Sequence, residues 1–457
     1  MSGAGLPLFP IAVFLLVFAP LVRGGNRPLP LMALEVAGLV ALALSSISPA
    51  RARLRSVPAT LWWGVAILVA APLAQLIPLP WSWWVALPGH EAYAQALQAA
   101  GGVPAEGAHA LSLNPRATEY AGLAMIPALA IFVLVRHLDR RRIRQLVFVF
   151  MMVAVAEATL GIMQLGAPAA SLLHLGNPYG GGGSTGTYVN RNHFAALMAM
   201  SLPVLMAFWA AEVLPPLGSK GEVLRDHPRN RDMKLARRLL LSIFMLTVVL
   251  ALLFTRSRAG IGCGLFVLAA ASLSLVWNAG SIHARVILAL IAVTALLLGA
   301  YIGFTPVLER FTPDDISLSY AGRARLAAGT LDAALDFLPL GSGLGTFADV
   351  FGRYQLESFP GYIDHAHNDY AEVFLELGVA GIAAVAILLA AYVMRWRALM
   401  HARLSRSLGY VQVGAGLGML ALIGHGAFDF NFHIPANAIF FSFLAGVFFF
   451  TPGEDRA

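Results

Sequence analysis

The chain has 457 residues, of which only 12% are charged and 58% are apolar, and its mean hydropathy is +0.73. A water-soluble protein cannot bury so large an apolar fraction, so the composition excludes an ordinary soluble domain. The net charge of +7 is informative mainly through the positions of the basic residues. The single cysteine, Cys263, excludes an intrachain disulfide.

Apolar runs long enough to cross a bilayer, about 20 residues each, recur along almost the whole chain. The first run follows no basic residue and carries Pro20 where a cleavage site would need small residues, so we interpret it as a spanning helix. The sequence therefore predicts an all-α polytopic membrane protein with about twelve transmembrane helices. They lie near 6–22, 29–48, 60–78, 118–136, 145–165, 193–212, 239–255, 259–277, 285–303, 369–394, 409–428 and 433–451.

Basic residues predict the orientation of these spans. They are densest between Arg136 and Arg144 and between Lys220 and Arg238, and such loops stay on the cytoplasmic side. Both termini are then cytoplasmic as well. A large outward loop separates the ninth and tenth helices, and it divides the chain into residues 1–303, 304–368 and 369–457.

The outward loop contains one predicted helix. Apolar residues recur at helical intervals in A-G-R-A-R-L-A-A-G-T-L-D-A-A-L-D-F-L-P-L-G, so we expect an amphipathic helix at the membrane surface. The apolar positions are Leu326, Leu331, Ala334, Leu335 and Leu338.

Arginines on the outward side are exceptions to the positive-inside bias. Arg191 opens the sixth span, and Arg258 lies in T-R-S-R-A-G between two spans. Arg323 and Arg325 lie in the first turn of the loop helix, where positive charge opposes the helix dipole unless an anion shares the site. Because the planar guanidinium suits phosphate oxygens, these arginines indicate a phosphate-bearing ligand. Snorkelling to lipid headgroups is the alternative.

Titratable residues are most concentrated in D-H-A-H-N-D-Y-A-E-V-F-L-E, at the entry to the tenth span. His367 is the candidate general base, because an imidazole accepts a proton near neutral pH. Asn368, His365, Glu372 and Glu376 are its candidate supporting residues, and we expect Glu372 or Glu376 to orient the histidine or the loop. Capping of the following helix is the alternative role for His367 and Asn368, and it is the role that we favour for His365.

Metal and nucleotide binding are weaker interpretations of the polar motifs. Asp364, His365, His367 and Asp369 offer metal-binding atoms, but ligands spaced by two residues on a loop are a weak signal, so we predict no metal. The run Gly180–Gly183 is followed by no Gly-Lys-Ser/Thr and is not a P-loop; we expect it to be flexible.

Three further groups of polar residues lie in or near spans. Asn190, Arg191, Asn192 and His193 open the sixth span with a capping pattern, and one of them is a candidate for facing a substrate. Asp429 and His433 occupy the turn between the last two spans. Glu157 and Gln164 lie inside the fifth span, where the cost of exposing polar groups to lipid predicts that they face protein or a water-filled cavity.

Five motifs follow one another over roughly residues 185 to 450. They are V-N-R-N-H-F-A-A-L, T-R-S-R-A-G, G-R-A-R-L with P-L-G-S-G-L-G-T, H-A-H-N-D-Y-A-E-V-F-L-E-L-G-V-A-G, and F-D-F-N-F-H-I-P-A-N. Because these motifs occur in this order together with the large outer loop, the chain resembles the superfamily of O-antigen ligases and O-antigen polymerases. These are bacterial envelope glycosyltransferases.

The resemblance implies a GT-C-like membrane enzyme of the bacterial inner membrane, with its active site facing the periplasm. Such an enzyme inverts the anomeric centre as it moves a glycan from undecaprenyl diphosphate to a sugar hydroxyl. The acceptor is the lipid A core for ligases and a growing polysaccharide for polymerases. The resemblance further implies no metal, nucleotide, other cofactor or nucleic acid; besides donor and acceptor, the expected partners are membrane lipids.

Individual residues also match the family's motifs. His367 corresponds to its essential histidine, Arg258 and Arg323 to its functional arginines, and Arg191 is a weaker match. The pair Asp369-Tyr370 departs from the long aliphatic residue that usually follows His-Asn in the family.

Two other classes are open on the sequence. A flippase or permease for a lipid-linked sugar places polar residues near the bilayer midplane, whereas here they concentrate at the outer interface. Cell-wall polymerases of the shape and division type share the lipid carrier, but their motifs are not apparent. We therefore favour glycan transfer, with ligase and polymerase undistinguished; the ending F-D-F-N-F-H-I-P-A-N is the one feature that favours a polymerase.

Overall fold

The predicted all-α class is confirmed by the helices of the computed structural model. The structure describes residues 6–48, 54, 57–101, 107–168, 170–178, 183–213, 228–276, 285–286, 289–291, 293–294, 297, 320–355, 362–401 and 406–451. Most of the predicted span 285–303, the first part of the outward loop and Gly180–Gly182 lie outside these residues. The predicted total of twelve spans therefore stays a prediction.

The first half of the chain contains eight described helices and a short antiparallel strand pair. The helices are α1 (Leu8–Leu21), α2 (Pro28–Ser46), α3 (Ala59–Gln75), α4 (Trp81–Val85), α5 (Glu91–Ala99), α6 (Pro115–Ala124), α7 (Ile126–His137) and α8 (Arg140–Gln164). The strands are β1 (Pro78–Pro80) and β2 (Ala108–Ala110).

The second half contains eight further helices among the described residues. They are α9 (Arg191–Val213), α10 (Pro228–Phe254), α11 (Arg258–Val276), α12 (Tyr320–Asp336), α13 (Phe347–Phe351), α14 (Asp369–His401), α15 (Arg406–His425) and α16 (Pro435–Phe448).

Eight described segments are long and apolar enough to cross a membrane, and three shorter apolar helices accompany them. Each of these coincides with a predicted span. The span predicted near 118–136 is interrupted, because α6 ends at Ala124 and Pro127, which lacks an amide N–H, starts the next helix. The long segments are α2, α6 with α7, α8, α9, α10, α11, α14 and α15, and the short ones are α1, α3 and α16.

Helices α9 and α15 form the centre of the bundle, and glycines let them approach closely. A Cβ at Gly418 would lie 2.6 Å from the carbonyl oxygen of Met200, and one at Gly414 would lie 2.7 Å from that of Pro203. Small residues four positions apart allow such backbone contact between membrane helices. The position of α9 matters for function because its first turn carries polar residues of the candidate site.

The two ends of the helix bundle carry different kinds of polar residue. At one end, called the arginine end, Arg136 donates to Phe449 O at 3.2 Å and Arg395 donates to Phe448 O at 2.9 Å. These cations suit the C-terminus of α16, where the helix dipole is negative. At the opposite end, called the histidine end, α9, α11 and α14 begin and α15 ends. The compartment that each end faces stays a prediction.

A small cap covers part of the histidine end and consists of residues 81–101, 107–113 and 320–355. Its apolar centre includes Phe337, whose ring lies 5.9 Å from His90 and 6.2 Å from Tyr93. Gln75, at the end of α3, donates to Glu376 O at 2.7 Å and accepts from Leu344 N at 2.9 Å. The cap is therefore fixed to the ends of α3 and α14.

Helix α14 is interrupted where the cap meets it. Gly378 has φ of +57°, a left-handed conformation that suits glycine. The break lets the backbone of residues 339–345 pair with it: Val379 N donates to Pro339 O at 3.0 Å, and Gly343 N donates to Glu376 O at 3.0 Å. The predicted single span is thus a short helix carrying the histidine motif, followed by a long apolar one.

The predicted loop helix exists as α12. Leu326 and Ala334 are buried against the protein. Leu331 and Leu335 are 44% and 59% exposed, because α12 packs against α14 through a face centred on Leu326, Ala333 and Phe337. Its expected position at the membrane surface stays a prediction.

We expect Gly418→Val to destabilise the bundle by about 1–3 kcal/mol, because the new side chain would push α15 away from α9. The measurement is the thermal midpoint of detergent-purified protein. Gly122→Val is the matched control, since a Cβ at Gly122 would meet nothing within 4 Å. Equal midpoints for the two variants would contradict the close packing of α9 and α15.

Candidate active site

Three helix starts and one helix end meet at the histidine end. Gly260 marks the junction: a Cβ there would lie 2.5 Å from Ala195 Cβ on α9 and 3.2 Å from His425 Cε1 on α15. The first turns of α9 and α11 are therefore adjacent, and the end of α15 lies beside them. The loop 426–434, which joins α15 to α16, crosses this junction and supplies the polar groups described next.

His367 lies in this junction, immediately before α14. Its Nδ1 is 2.9 Å from Asp429 Oδ1, and its ring meets Phe430 edge to face at 5.0 Å between centroids. Its backbone has φ of +51°, a left-handed conformation that is uncommon for residues other than glycine. Backbone strain of this kind concentrates at functional sites because surrounding contacts must maintain it.

Asp429 is the fully buried centre of the polar contacts. Besides His367, its carboxylate accepts from Asn192 Nδ2 at 2.6 Å and from Phe430 N at 3.0 Å. Arg323 Nη2 lies 3.6 Å from its Oδ2. Burial alone would raise the pKa of Asp429, but the His367 hydrogen bond and the nearby cationic groups lower it below its usual range. The group is therefore a carboxylate that can fix the orientation of His367.

Arg323 connects α12 to the same loop. Its Nη1 donates to Phe428 O at 3.3 Å, in addition to the contact with Asp429. Its side chain is 27% exposed, so part of the guanidinium faces away from the protein. The predicted phosphate-binding arginine thus lies beside the predicted base.

A second carboxylate lies next to the first and pairs with two other histidines. Glu372 Oε1 is 2.7 Å from His365 Nδ1 and 3.2 Å from His433 Nε2, while its Oε2 accepts from Ala366 N at 2.9 Å. His365 also stacks on Phe430, with 4.1 Å between ring centroids. Phe430 therefore separates the His367–Asp429 pair from the Glu372 cluster and packs against both.

Asp369 explains the unusual Asp-Tyr that follows His-Asn. Its carboxylate accepts from Asn431 N at 2.9 Å and from His433 Nδ1 at 3.1 Å, so it closes the loop that carries Asp429. Tyr370 donates to Ile423 O at 2.6 Å and holds the end of α15. Both residues thus position the loop 426–434 against the start of α14.

His433 lies between Asp369 and Glu372 and contacts both carboxylates. Burial alone would lower the pKa of His433, but Glu372 and Asp369 raise it to about 10. The imidazole is therefore a cation at neutral pH. Its Nδ1 donates to Asp369 Oδ1 at 3.1 Å, and its Nε2 lies 3.2 Å from Glu372 Oε1. This positive charge offsets part of the negative charge of the two acids.

Glu372 and Glu376 were expected to orient the histidine or the loop; Asp429 occupies the position beside His367 Nδ1, and the two glutamates contact the outward loop. Glu372 holds His365 and His433 instead. Glu376 accepts from Phe347 N at 3.0 Å and so anchors the cap. Their spacing on one helix face is as predicted, but that face points toward His365 and the cap.

Asn368 caps α14, which was the alternative role for this residue. Its Oδ1 accepts from Tyr370 N at 3.0 Å and from Ala371 N at 3.1 Å, while its Nδ2 donates to Ala427 O at 3.1 Å. The helix-capping hydrogen bonds and the contact with Ala427 together fix Asn368, the residue that follows His367.

The other three predicted arginines surround the same end but are exposed. Arg191 is the first residue of α9 and Arg258 is the first residue of α11, so both lie at helix N-termini that favour anions. Arg325 lies two residues beyond Arg323 on α12. Their positions place cationic groups on three of the helices that meet at the histidine end.

One group among the described residues has the donor atoms for a divalent metal: His365, Glu372 and His433, whose ligand atoms lie within 4.8 Å of one another. It differs from the set considered in the sequence, since His367 and Asp369 contact other partners. Within this trio His365 Nδ1 pairs with Glu372, and the His433 cation lies between Glu372 and Asp369. The donor set fits a metal, but the protonated cluster accounts for the same geometry.

Comparison with known families agrees with this arrangement of motifs. Residues 243–386 match the family model described as O-antigen ligase. This match supports membership of the O-antigen ligase superfamily. A search of curated proteins finds no match. The segment that matches the O-antigen ligases contains Arg258, Arg323 and His367, whereas Asn192 and Asp429 lie outside it.

The sequence did not identify Asp429 as the partner of His367, and it placed Asn192 only in a group of capping residues of which one was a candidate for facing a substrate. Asn192 is 237 positions from Asp429 in the sequence, and helical or strand periodicity does not relate residues that are so far apart. A signal for Asp429 was present, since a lone aspartate in an aromatic turn between two apolar spans needs partners when buried. That signal identifies a buried acid without identifying the histidine that it contacts.

We expect the stability that His433 contributes to fall as pH rises. The folded protein holds this proton more tightly than an unfolded chain, whose histidine titrates near 6.5. The contribution is therefore complete below about pH 6.5, and it is lost as pH approaches the folded pKa of about 10. The measurement is the thermal midpoint between pH 6.5 and 10 for wild type and His433→Gln. Parallel midpoint curves for the two proteins would contradict the charged state of His433.

Proposed function

We propose that the chain is an inverting glycosyltransferase that moves a glycan from undecaprenyl diphosphate to a sugar hydroxyl at the periplasmic face of the bacterial inner membrane. The observation that carries the proposal is the His367–Asp429 pair at 2.9 Å, placed at the helix end where four arginines gather. The O-antigen ligase match supplies the class of enzyme, and the geometry supports roles for individual residues.

His367 acts as the general base in this proposal. Because Asp429 is a buried carboxylate, it accepts the Nδ1 proton of His367, which leaves Nε2 as the proton acceptor. The His367 side chain is 18% exposed, so an acceptor hydroxyl can approach it from outside. A carboxylate that fixes the tautomer and stabilises the resulting imidazolium is the arrangement used by histidine bases in other enzymes.

The arginines bind the diphosphate of the donor. As the bond between the anomeric carbon and the phosphate oxygen breaks, negative charge grows on the leaving diphosphate. Guanidinium groups and helix N-termini that are already in position stabilise this charge without reorganisation. Arg258 at the start of α11 and Arg323 beside Asp429 have the main roles, and Arg191 and Arg325 extend the cationic surface.

The chemical step exchanges two bonds at the anomeric carbon. The acceptor oxygen loses its proton to His367 Nε2 and bonds to the anomeric carbon, while the bond to the diphosphate oxygen breaks on the opposite face. The products are the lengthened or ligated glycan and undecaprenyl diphosphate. No metal, nucleotide or nucleic acid is needed in this proposal, because the arginines supply the positive charge and the donor carries its own leaving group.

The acceptor is a sugar hydroxyl of the lipid A core or of a growing polysaccharide, and both acceptors use the same base. Transport of a lipid-linked sugar is less well supported. The buried acid in a spanning helix, Glu157, accepts from Thr187 N at 2.9 Å and Thr187 Oγ1 at 2.8 Å, so it anchors the segment before α9 rather than facing a substrate path.

We expect Asp429→Asn to lower kcat roughly 100- to 10,000-fold, because an amide cannot stabilise the imidazolium or hold the correct tautomer. The assay uses purified protein, an undecaprenyl-diphosphate glycan and an acceptor glycan. The donor KM should change much less than kcat, since Asp429 is buried beneath the histidine.

Two companion variants give that experiment its controls. Asp332→Asn makes the same change at an exposed position on α12 and should retain activity. His367→Ala should lose activity to a similar or greater extent than Asp429→Asn. Full transfer by His367→Ala would rule out the base, and full transfer by Asp429→Asn would rule out the carboxylate's role.

We expect Arg258→Lys to reduce kcat/KM for the donor about tenfold, because lysine keeps the charge but loses the two-pronged hydrogen bonding of a guanidinium. Arg116→Lys is the matched control, since Arg116 is also exposed in the first turn of a helix. Initial rates over a range of donor concentrations measure the effect. Equal kinetics for the two variants would contradict diphosphate binding by Arg258.

A further inference from the structure

An apolar crevice lies between α11 and α15, close to the histidine end. Its volume is about 170 Å³, and it is lined by Gly262, Cys263, Phe266, Val267, Leu420 and Gly424. For comparison, an apolar cavity of about 150 Å³ is large enough to hold benzene. The crevice therefore has room for a branched five-carbon unit.

Two glycines create this space. A Cβ at Gly262 would meet nothing within 4 Å, and a Cβ at Gly424 would meet only Cys263 Sγ, at 3.5 Å. Gly262 is thus not required for close helix packing, unlike Gly418 or Gly260. The opening is on the outer surface of the bundle, since Phe266 is 54% exposed.

The crevice lies on the same two helices as residues of the candidate active site, about one turn away from them. Arg258, Gly262 and Phe266 are spaced four residues apart on α11, so they lie on one face of the helix. On α15, Gly424 immediately precedes His425, which lies beside Gly260 at the helix junction. A molecule that follows this face passes from the exposed arginine into the apolar crevice within two helical turns.

A ligand that fits both the exposed arginine and the adjacent apolar crevice has an anionic head followed directly by an apolar chain. We propose that the crevice holds the first isoprene units of the donor's polyprenyl chain while Arg258 contacts its diphosphate. The inference rests on the proposed function and adds a binding subsite for the lipid portion of the donor. Charge complementarity fixes the head at Arg258, and the spacing on α11 fixes the direction of the chain.

The crevice contributes selectivity rather than a hydrophobic driving force. Lipid tails already surround the chain in the bilayer, so moving an apolar group from lipid to protein gains mainly van der Waals contact. A crevice between two helices contacts a methyl-branched chain on more sides than disordered lipid does. We therefore expect a moderate loss of affinity when the crevice is filled, not a complete loss.

The test measures binding of undecaprenyl diphosphate, which requires no sugar and no turnover. Dissociation constants are measured by native mass spectrometry for wild type, Gly262→Leu and Gly122→Leu. We expect Gly262→Leu to weaken binding about tenfold, equivalent to about 1.4 kcal/mol, because leucine would fill the crevice. Gly122→Leu is the control, since a Cβ there also meets nothing within 4 Å and it lies on α6, away from the site.

A second measurement does not depend on a folded glycine variant. Cys263 is the only cysteine of the chain, so alkylating the folded wild-type protein with a small maleimide adds bulk to the crevice alone. Complete alkylation, checked by intact mass, should also weaken undecaprenyl diphosphate binding, and bound undecaprenyl diphosphate should slow the alkylation. Phosphatidic acid is the comparison ligand, because it has an anionic head on ordinary acyl chains.

The outcomes separate the subsite from the proposed function. Unchanged binding in Gly262→Leu, or equal protection of Cys263 by phosphatidic acid, would overturn the isoprenoid subsite while leaving the enzyme class intact. Absence of undecaprenyl diphosphate binding to wild type would overturn the donor assignment itself. Weakened binding in Gly262→Leu and slowed alkylation by undecaprenyl diphosphate alone would support the proposal.

Discussion

A buried negative charge at Asp429 organises the histidine end of the bundle. A carboxylate removed from water is unfavourable unless hydrogen bonds and positive charge compensate it. Here the compensation comes from Asn192 on α9, Arg323 on α12 and His367 before α14. Each of these contacts fixes one helix relative to the loop 426–434. The same contacts leave one face of His367 directed outward, so the requirement for neutralising Asp429 also places the proposed base.

The loop 426–434 contributes residues to two carboxylate–imidazole clusters, and both clusters pack against one aromatic ring. Phe430 contacts His367 on one side and His365 on the other. Asp429 holds the first histidine, and the Asp369–His433–Glu372 cluster holds the loop itself. The closing F-D-F-N-F-H-I-P-A-N motif is therefore a structural part of the site. Its aspartate acts on the proposed base, and its histidine locks the geometry.

The sequence predicted the positions of individual residues better than their partners. Apolar runs indicated the spans because crossing a bilayer imposes a length, and His367 stood out because titratable groups are rare in such chains. Its partner Asp429 is 62 residues away, and helical periodicity reports only which residues share a face. Apolar spacing on α12 likewise does not show that the helix packs against α14 through a face centred on Leu326, Ala333 and Phe337.

The left-handed backbone of His367 means that its position is maintained against a local conformational preference. A glycine would relieve that strain, but it would also remove a hydrogen bond from the buried Asp429 carboxylate. The strain is therefore offset by the same contact that orients the proposed base. One hydrogen bond thus serves both stability and activity, and replacing His367 should reduce the two together.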